Sequence, residues 1–190
     1  IGAENVIHSC IKNNVDRVIA LSTDKASSPI NLYGVTKLAS DKIFIAANNI
    51  TGKKKTKFSV VRYGNVAGSR GSVIPFYTSL IKSGKKTLPL THEDMTRFFI
   101  TLDEGINFVS KCLKIMKGGE IFIPKISSLK IADLIRLFGN QIKYKVIGIR
   151  PGEKIHETLF SKDESSNVLE FPDFFVIKPS ITFNKIINYN

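Results

Sequence analysis

The segment best suited to acid–base chemistry is Thr23, Asp24 and Lys25, which follows a predicted strand. The preceding run, Arg17 to Ser22, is largely apolar, which is typical of a strand buried on both faces of a sheet. Ligands of open α/β sheets bind beyond such strand ends, where a neighbouring acid and base can exchange protons with a substrate. Alternatively, Asp24 and Lys25 form a surface ion pair, although adjacent residues of a strand end point to different sides.

Tyr33 and Lys37 are a second candidate for proton transfer. Asn31 is a residue type that caps helices, and the apolar spacing predicts a helix over residues 32–49. Because residues four apart lie on one helical face, Tyr33 and Lys37 would be neighbours. An ammonium group favours the phenolate form of a tyrosine, which can then accept a proton from a sugar hydroxyl. This spacing also occurs by chance, so the prediction of a site at Tyr33 and Lys37 depends largely on the strand end that precedes them.

A glycine-rich loop, Gly64 to Ser72, follows a second buried strand predicted over Phe58 to Tyr63. Its spacing is not G-x-G-x-x-G, and no acidic residue ends a further strand about 20 residues later. We therefore reject a dinucleotide phosphate loop here. Glycines do let a backbone approach a flat ring closely, although a plain glycine-rich turn is the simpler interpretation.

Strands and helices alternate through the first half of the sequence, which predicts an α/β fold with a doubly wound parallel sheet. We expect flanking helices over Ile1 to Asn14 and Val73 to Ser83. Further predicted elements are helices at 102–116 and 130–138, and strands at 120–124, 144–149 and 174–177. We expect residues 1–85 to form part of the sheet domain, and residues 86–190 to form mainly a smaller α/β cap with some return to the sheet.

The composition excludes several classes of protein. The 190 residues are 43% hydrophobic and 23% charged, so the chain can build a core and is neither disordered nor fibrous. No apolar run approaches the about 18 residues of a membrane span, and the first residues do not resemble a signal peptide. Cys10 and Cys112 cannot form a disulfide framework, so we expect reduced thiols and a cytoplasmic location. The three histidines have no metal-ligand spacing, and we expect no metal site.

The net charge of +12 suggests a polyanionic partner, because 28 Lys and Arg face 16 Asp and Glu. Most of these cations are scattered lysines, whereas specific phosphate and base recognition favours the planar arginine fork. We therefore interpret the charge as background and expect no nucleic-acid partner.

Several long motifs resemble one family. Tyr33-x-x-x-Lys37 behind Ser22-Thr23 resembles the extended short-chain dehydrogenase/reductases that act on nucleotide sugars. Five motifs are similar to the inverting UDP-N-acetylglucosamine 4,6-dehydratases of polysaccharide and flagellin-sugar biosynthesis: Ser-Thr-Asp-Lys-Ala, Pro-Ile-Asn-Leu-Tyr-Gly-x-Thr-Lys, Val-Arg-Tyr-Gly-Asn-Val-x-Gly-Ser-Arg-Gly-Ser-Val-Ile-Pro-Phe, Met-Thr-Arg-Phe and Arg-Pro-Gly-Glu-Lys. The resemblance runs in register through essentially the whole chain.

The resemblance implies a Rossmann-like fold and an NADP-dependent lyase. Hydride leaves C4 of UDP-N-acetylglucosamine, water is eliminated across C5 and C6, and hydride returns to C6 with inversion at C5. The product is a 4-keto-6-deoxy sugar nucleotide. A sugar-nucleotide epimerase of the same superfamily is the nearest alternative, and an inactive truncated binding module is another.

The resemblance also implies roles for individual residues. Lys25 is the C5 base, Asp24 the acid, and Thr23 positions the C4 oxygen beside Tyr33 and Lys37. The cofactor contacts are Tyr33, Lys37, Val66, Ala67, Gly68, Ser69 and Arg70. The substrate contacts are Asn65, Val73, Thr91, Arg150 and Glu153.

The family's glycine-rich strand, loop and helix for the cofactor pyrophosphate are not found in this sequence. The chain therefore reads as the C-terminal part of such an enzyme, which we expect to be inactive alone. We expect the full-length protein to form homo-oligomers, and to attach to a membrane only if a longer parent chain carries spans.

Overall fold

The computed structural model describes residues 1–180, so the end of the predicted cap, residues 181–190, lies outside the described residues. Its main sheet has five strands. Strand β1 (Arg17–Thr23) pairs in parallel with β2 (Lys57–Tyr63), which places Thr23 opposite Tyr63. The carboxyl ends of these two strands, each followed by a segment of candidate site residues, therefore lie side by side.

Two helices flank the first two strands, and the second of them begins at a capping residue. Helix α1 covers Gly2–Lys12 and helix α2 covers Leu32–Ala46, followed by a short 3₁₀ helix, Ala47–Asn49. The Asn31 side chain accepts a hydrogen bond from the Gly34 N–H at 2.8 Å, which caps α2 as predicted. Gly34 is required at this position, because a Cβ atom there would lie 2.4 Å from the Lys25 carbonyl oxygen.

Two small sheets form the walls of a cleft beyond these strand ends. After β3 (Asn65–Val66) come α3 (Val73–Lys82), β4 (Thr87–Leu90), β5 (Thr96–Ile100), α4 (Leu102–Ile115), β6 (Ile121–Pro124), β7 (Ser128–Lys130), α5 (Ile131–Arg136) and β8 (Lys143–Val146). One small sheet has the order β3-β5-β7, and the other pairs β4 in parallel with β8. A buried cluster that includes Leu88, Leu90 and Ile135 packs these elements together.

The later part of the chain returns to the main sheet. Strand β6 pairs in parallel with β2, and β10 (Phe174–Ile177) lies antiparallel between β6 and β9 (Val168–Glu170). The turn between β9 and β10 is short, and a short connection joins strands only in antiparallel fashion. Phe58, Val60 and Ile123 fill the core between this sheet and helices α1 and α2.

The predicted α/β fold with parallel strands is confirmed, with corrections. Two of the four strand pairings in the main sheet are antiparallel, because β10 runs opposite to both of its neighbours, β6 and β9. The predicted helices each end one to several residues early, and the strand predicted over 144–149 covers only 143–146. Strands β4, β5, β7 and β9 were not predicted, because they are short and lack the long apolar run of a central strand. Among the described residues, no helix has the length and apolar character needed to cross a membrane.

Candidate functional site

The end of strand β1 turns directly into a short 3₁₀ helix, Asp24–Ala26, which holds the predicted acid and base together. Asp24 is fully buried, and its Oδ1 atom accepts hydrogen bonds from the Thr23 hydroxyl at 2.8 Å and the Lys25 ammonium at 3.0 Å. Lys25 also reaches the amide oxygen of Asn65 at 3.4 Å. The predicted site residues Thr23, Asp24 and Lys25 thus lie beside Asn65, which follows the next strand.

The alternative of a surface ion pair is correct in the pairing and wrong in placing it at the surface. Asp24 and Lys25 do form an ion pair, but the carboxylate is buried and the lysine side chain is only 31% exposed. The second carboxylate oxygen, Oδ2 of Asp24, is buried and has no hydrogen-bond partner among residues 1–180. A free acceptor on a buried carboxylate is uncommon and is typical of a group that meets a ligand.

Tyr33 and Lys37 lie on helix α2, one turn apart, as the spacing predicts. The Tyr33 side chain is exposed, at 55%, and no described residue hydrogen-bonds its hydroxyl. The Lys37 ammonium donates to the carbonyl oxygen of Leu21 at 2.9 Å, which ties the helix to the end of β1. The helix therefore presents Tyr33 freely at the same edge of the sheet as Asp24 and Lys25.

The glycine-rich loop is partly a strand rather than a plain turn. Asn65 and Val66 pair in parallel with Phe99 and Ile100 of β5. Gly64 allows this pairing, because a Cβ atom there would lie 2.5 Å from Cβ of Phe98. Beyond the strand, the predicted cofactor contacts Gly68, Ser69 and Arg70 are exposed.

Two adjoining pockets form a cleft in front of these loops. The first has a volume of about 320 Å³, and we call it the catalytic pocket after the role proposed below for Lys25. It is lined by Lys25, Asn31, Asn65, Ser69, Ser72, Val73, Arg97, Gly152, Glu153 and Glu157. The second has a volume of about 340 Å³, and we call it the outer pocket. It is lined by Asn65, Gly71, Ser72, Val73, Phe76, Tyr77, Pro89, Thr91, Met95, Arg97, Ile131, Ile147, Arg150 and Glu153. Five residues line both pockets.

The five predicted substrate contacts are brought together by this cleft, because all of them line the outer pocket. Tyr33, Lys37 and most of the predicted cofactor loop line neither pocket. Ser69 is the one predicted cofactor contact that lines either pocket, the catalytic one.

One wall of the outer pocket is formed by Thr91, Met95 and Tyr77. The Thr91 hydroxyl donates a hydrogen bond to the sulfur of Met95 at 3.0 Å. Burial raises the pKa of Tyr77 to about 12, and its hydroxyl donates to the Pro89 carbonyl. This wall of the outer pocket is therefore neutral and largely apolar.

The turn Arg150 to Glu153 closes the cleft from the other side. Its two charged side chains face each other at 3.8 Å, and the arginine side chain is 63% exposed. The Gly152 carbonyl oxygen accepts a hydrogen bond from the Asn31 side chain at 2.7 Å. Asn31 thus both caps the helix that carries Tyr33 and fixes the turn of the outer pocket.

Arg97 is a site residue that sequence reasoning missed. It is buried, at 8% exposure, and lines both pockets. Its guanidinium donates to the carbonyl oxygens of Thr96, Lys154 and Ile155 at 2.7 to 3.0 Å. These acceptors are neutral, and no described carboxylate forms a salt bridge with Arg97, so its charge is available to an anionic ligand. The Met-Thr-Arg-Phe motif contained the residue, but the strand around it was not predicted.

A buried charge cluster behind the strand end was also missed. Arg62 of β2 is fully buried and bonds Asp41 of α2 at 3.2 Å and Glu164 at 3.0 Å. Asp41 also accepts the hydroxyl hydrogen of Ser22 at 2.8 Å, directly before the proposed catalytic residues. An arginine inside an otherwise apolar strand was the available signal, because a buried charge needs partners.

The cluster affects the ionisation of its two acids in opposite ways. Burial raises the pKa of Asp41, against the attraction of the Arg62 guanidinium. Burial also acts to raise the pKa of Glu164, but the hydrogen bonds and charge of Arg62 outweigh it, so this pKa lies below its ordinary value. The arginine therefore holds Glu164 as a carboxylate.

The structure is a Rossmann-like α/β fold, with a buried carboxylate–ammonium pair at parallel strand ends beside a two-part cleft. The chain belongs to the polysaccharide biosynthesis protein family, whose family model matches residues 1–179. It is 57% identical over 182 residues to a UDP-N-acetylglucosamine 4,6-dehydratase (inverting) of Campylobacter jejuni, covering 96% of this chain and 54% of that protein. The chain thus spans about half the length of that relative.

Solved structures show the same fold. Pen from Bacillus thuringiensis is 39% identical to this chain with a TM-score of 0.87, over 94% of this chain and 58% of that one. DesIV, a dTDP-glucose 4,6-dehydratase of Streptomyces venezuelae solved with NAD and TYD bound, has a TM-score of 0.72 at 19% identity, over 96% of this chain and 61% of that one. The expected family and fold are therefore confirmed.

Proposed function

We propose that this chain carries the catalytic and sugar-nucleotide half of an inverting UDP-N-acetylglucosamine 4,6-dehydratase, a lyase of surface polysaccharide or flagellin glycan biosynthesis. The observation that carries this proposal is the Asp24–Lys25 pair at the catalytic pocket, which continues into the outer pocket of Arg150 and Glu153. The 57% identity to a dehydratase of that name supports the same substrate and reaction.

The ion pair between Asp24 and Lys25 can supply both proton transfers of an elimination. Moving one proton across the 3.0 Å hydrogen bond from Lys25 Nζ to Asp24 Oδ1 leaves a neutral amine and a carboxylic acid. The amine can then take the C5 proton, and the acid can protonate the departing C6 oxygen. These two transfers restore the original ammonium and carboxylate, so the pair returns to its starting state.

Tyr33 is the group proposed to act on the C4 hydroxyl. Its phenol is exposed at the strand-end edge, and Lys37 lies one helical turn away. A phenolate there would accept the C4 hydroxyl proton, and the Thr23 hydroxyl would orient the C4 oxygen. The single hydroxyl hydrogen of Thr23 is donated to Asp24 in this structure, so to orient the C4 oxygen the hydroxyl would turn and donate to the sugar instead.

The residues present fit a nicotinamide cofactor, which structural neighbours bind. The Tyr33 side chain is uncovered, and Gly68 has a φ of 75° with open space where a Cβ would stand. Tyr33, Lys37 and Val66 to Arg70 would hold the cofactor, which when bound supplies the hydride acceptor for C4. NADP rather than NAD remains our prediction.

The outer pocket is proposed to bind the UDP group. Arg150 and Arg97 are placed for the phosphates, because a guanidinium binds phosphate oxygens through two hydrogen bonds. Glu153 can accept from ribose hydroxyls, and Thr91 can contact the uridine. Asn65 and Val73, which line both pockets, would lie where sugar and nucleotide meet.

Several expectations stay predictions. They are the division of the chain near residue 85, the homo-oligomer of the full-length protein, the cytoplasmic location and the absence of a nucleic-acid partner.

The test is a chimera that joins the N-terminal half of the Campylobacter relative to this chain, called the completed enzyme below. With UDP-N-acetylglucosamine, we expect a product lighter by one water, measured by mass spectrometry. A product of unchanged mass but altered configuration would support the epimerase alternative. Binding of UDP-N-acetylglucosamine without any product would support the binding module.

A further inference from the structure

Glu157 is a buried carboxylate of the cleft for which the proposed reaction has no use. It is 8% exposed, and its Oε2 atom has no hydrogen-bond partner among the described residues. The Lys154 ammonium lies 3.3 Å from Oε2 but donates its hydrogen bond to the Ser27 carbonyl at 2.8 Å. The charge of Glu157 is therefore balanced, whereas its Oε2 atom accepts no hydrogen bond from the described residues.

The position of Glu157 separates it from the other acid of the same turn. Glu153 lines both pockets, but Glu157 lines only the catalytic pocket, together with Lys25 and Asn65. A ligand that fills only the outer pocket would not reach it. A ligand that extends toward Lys25 would lie against it.

The backbone around Glu157 is held firmly in place. The Thr158 and Ser27 hydroxyls are 2.9 Å apart, and Arg97 donates to the carbonyl oxygens of the two residues before His156. The backbone that carries the Glu157 carboxylate is thus in place before any ligand arrives, which reduces the entropic cost of using it.

A buried carboxylate oxygen without a donor is costly, and such groups persist where a ligand or water completes them. An N-acetylhexosamine offers hydroxyl and amide N–H donors, whereas the diphosphate offers none and the ribose hydroxyls are assigned to Glu153. We propose that Glu157 is a sugar-binding residue, which accepts a hydrogen bond from a hydroxyl or amide N–H of the hexose ring in the catalytic pocket. The proposal rests on the proposed function, because it takes the sugar of a nucleotide sugar as the occupant.

The test compares two ligands that differ only in the sugar. The chain and its Glu157→Gln variant are titrated with UDP and with UDP-N-acetylglucosamine by calorimetry, with Glu170→Gln as the matched exposed control. We expect Glu157→Gln to weaken binding of UDP-N-acetylglucosamine about 10-fold and to leave UDP within twofold, since a hydrogen bond to a charged group is stronger than one to a neutral group. Glu157→Ala should give the larger loss with the same selectivity.

Two results would overturn the assignment. An equal loss for both ligands would make Glu157 a support of the turn rather than a sugar contact, and unchanged binding of UDP-N-acetylglucosamine in both variants would remove it from the site. UDP binding also reports folding, so a variant that keeps it is folded. If the unmodified chain bound neither ligand, the proposed function itself would be wrong as well.

Discussion

The two ends of the cleft are built in opposite ways. At the catalytic end, Asp24 is fully buried and holds Thr23 and Lys25 at 2.8 and 3.0 Å. At the nucleotide end, the Arg150 side chain is 63% exposed and meets Glu153 only at 3.8 Å. One end is fixed by short buried contacts, and the other is free to rearrange around a ligand.

This difference follows from the work that each end is proposed to do. Proton transfer depends on distances within a few tenths of an ångström, so the groups must be preorganised. Diphosphate binding depends on charge and can order an exposed arginine when the ligand arrives. Asn31 connects the two ends, because it caps helix α2 and also holds the Gly152 carbonyl.

The largest effect is expected from breaking the catalytic end. In the completed enzyme, Lys25→Ala should still allow oxidation at C4 but should lower exchange of the C5 hydrogen by at least about 10²-fold, the usual contribution of a positioned base. The measurement is deuterium uptake at C5 in heavy water, followed by mass spectrometry. Lys82→Ala, an exposed lysine at the end of α3, is the control. Undiminished uptake in Lys25→Ala would remove Lys25 from the mechanism.

The next effect concerns the charge cluster that supports the catalytic end. Arg62→Ala should lower the free energy of unfolding by about 3–5 kcal/mol, because it leaves buried acids without their cation. Urea denaturation followed by circular dichroism measures this loss. Arg136→Ala breaks an exposed pair with Asp133 and should change little. If the two variants lost similar stability, the cluster would not hold the strand end in place.

How far the sequence predicts the site also differs between the ends. The sequence places Thr23, Asp24 and Lys25 at a strand end because a short apolar run precedes them, and it places Tyr33 and Lys37 on one helical face because helical spacing is regular. Arg97 and Glu157 were missed because both are positioned by short strands and turns without such a period. Asn31 was predicted as a cap, but its bond to Gly152, distant in sequence, arises only in the folded chain.

The fold shows the same limit. The parallel pairing of β1 and β2 follows from two buried apolar runs joined by a helix. The antiparallel pairing of β10 with β6 and with β9 depends on which edge of the sheet the late strands reach. Local sequence does not encode that position. The ion pair of Arg62 with Glu164 joins residues far apart in sequence, and only the charge inside β2 signals it.

The smallest expected effect is a pH dependence that distinguishes the two acids bonded to Arg62. The pKa of Glu164 is lowered from 4.5, so its ionised form stabilises the fold at neutral pH, and this contribution is lost as pH falls through 4.5 toward the folded value. The pKa of Asp41 is raised from 3.8 by burial, so protonation of Asp41 favours the folded state as pH falls. Acidification should therefore lower the free energy of unfolding of the unmodified chain relative to that of Glu164→Gln. It should raise the free energy of unfolding of the unmodified chain relative to that of Asp41→Asn. Urea unfolding at pH 7, 5 and 4 measures both differences. Parallel trends in the two variants would mean that Arg62 does not treat its two partners differently.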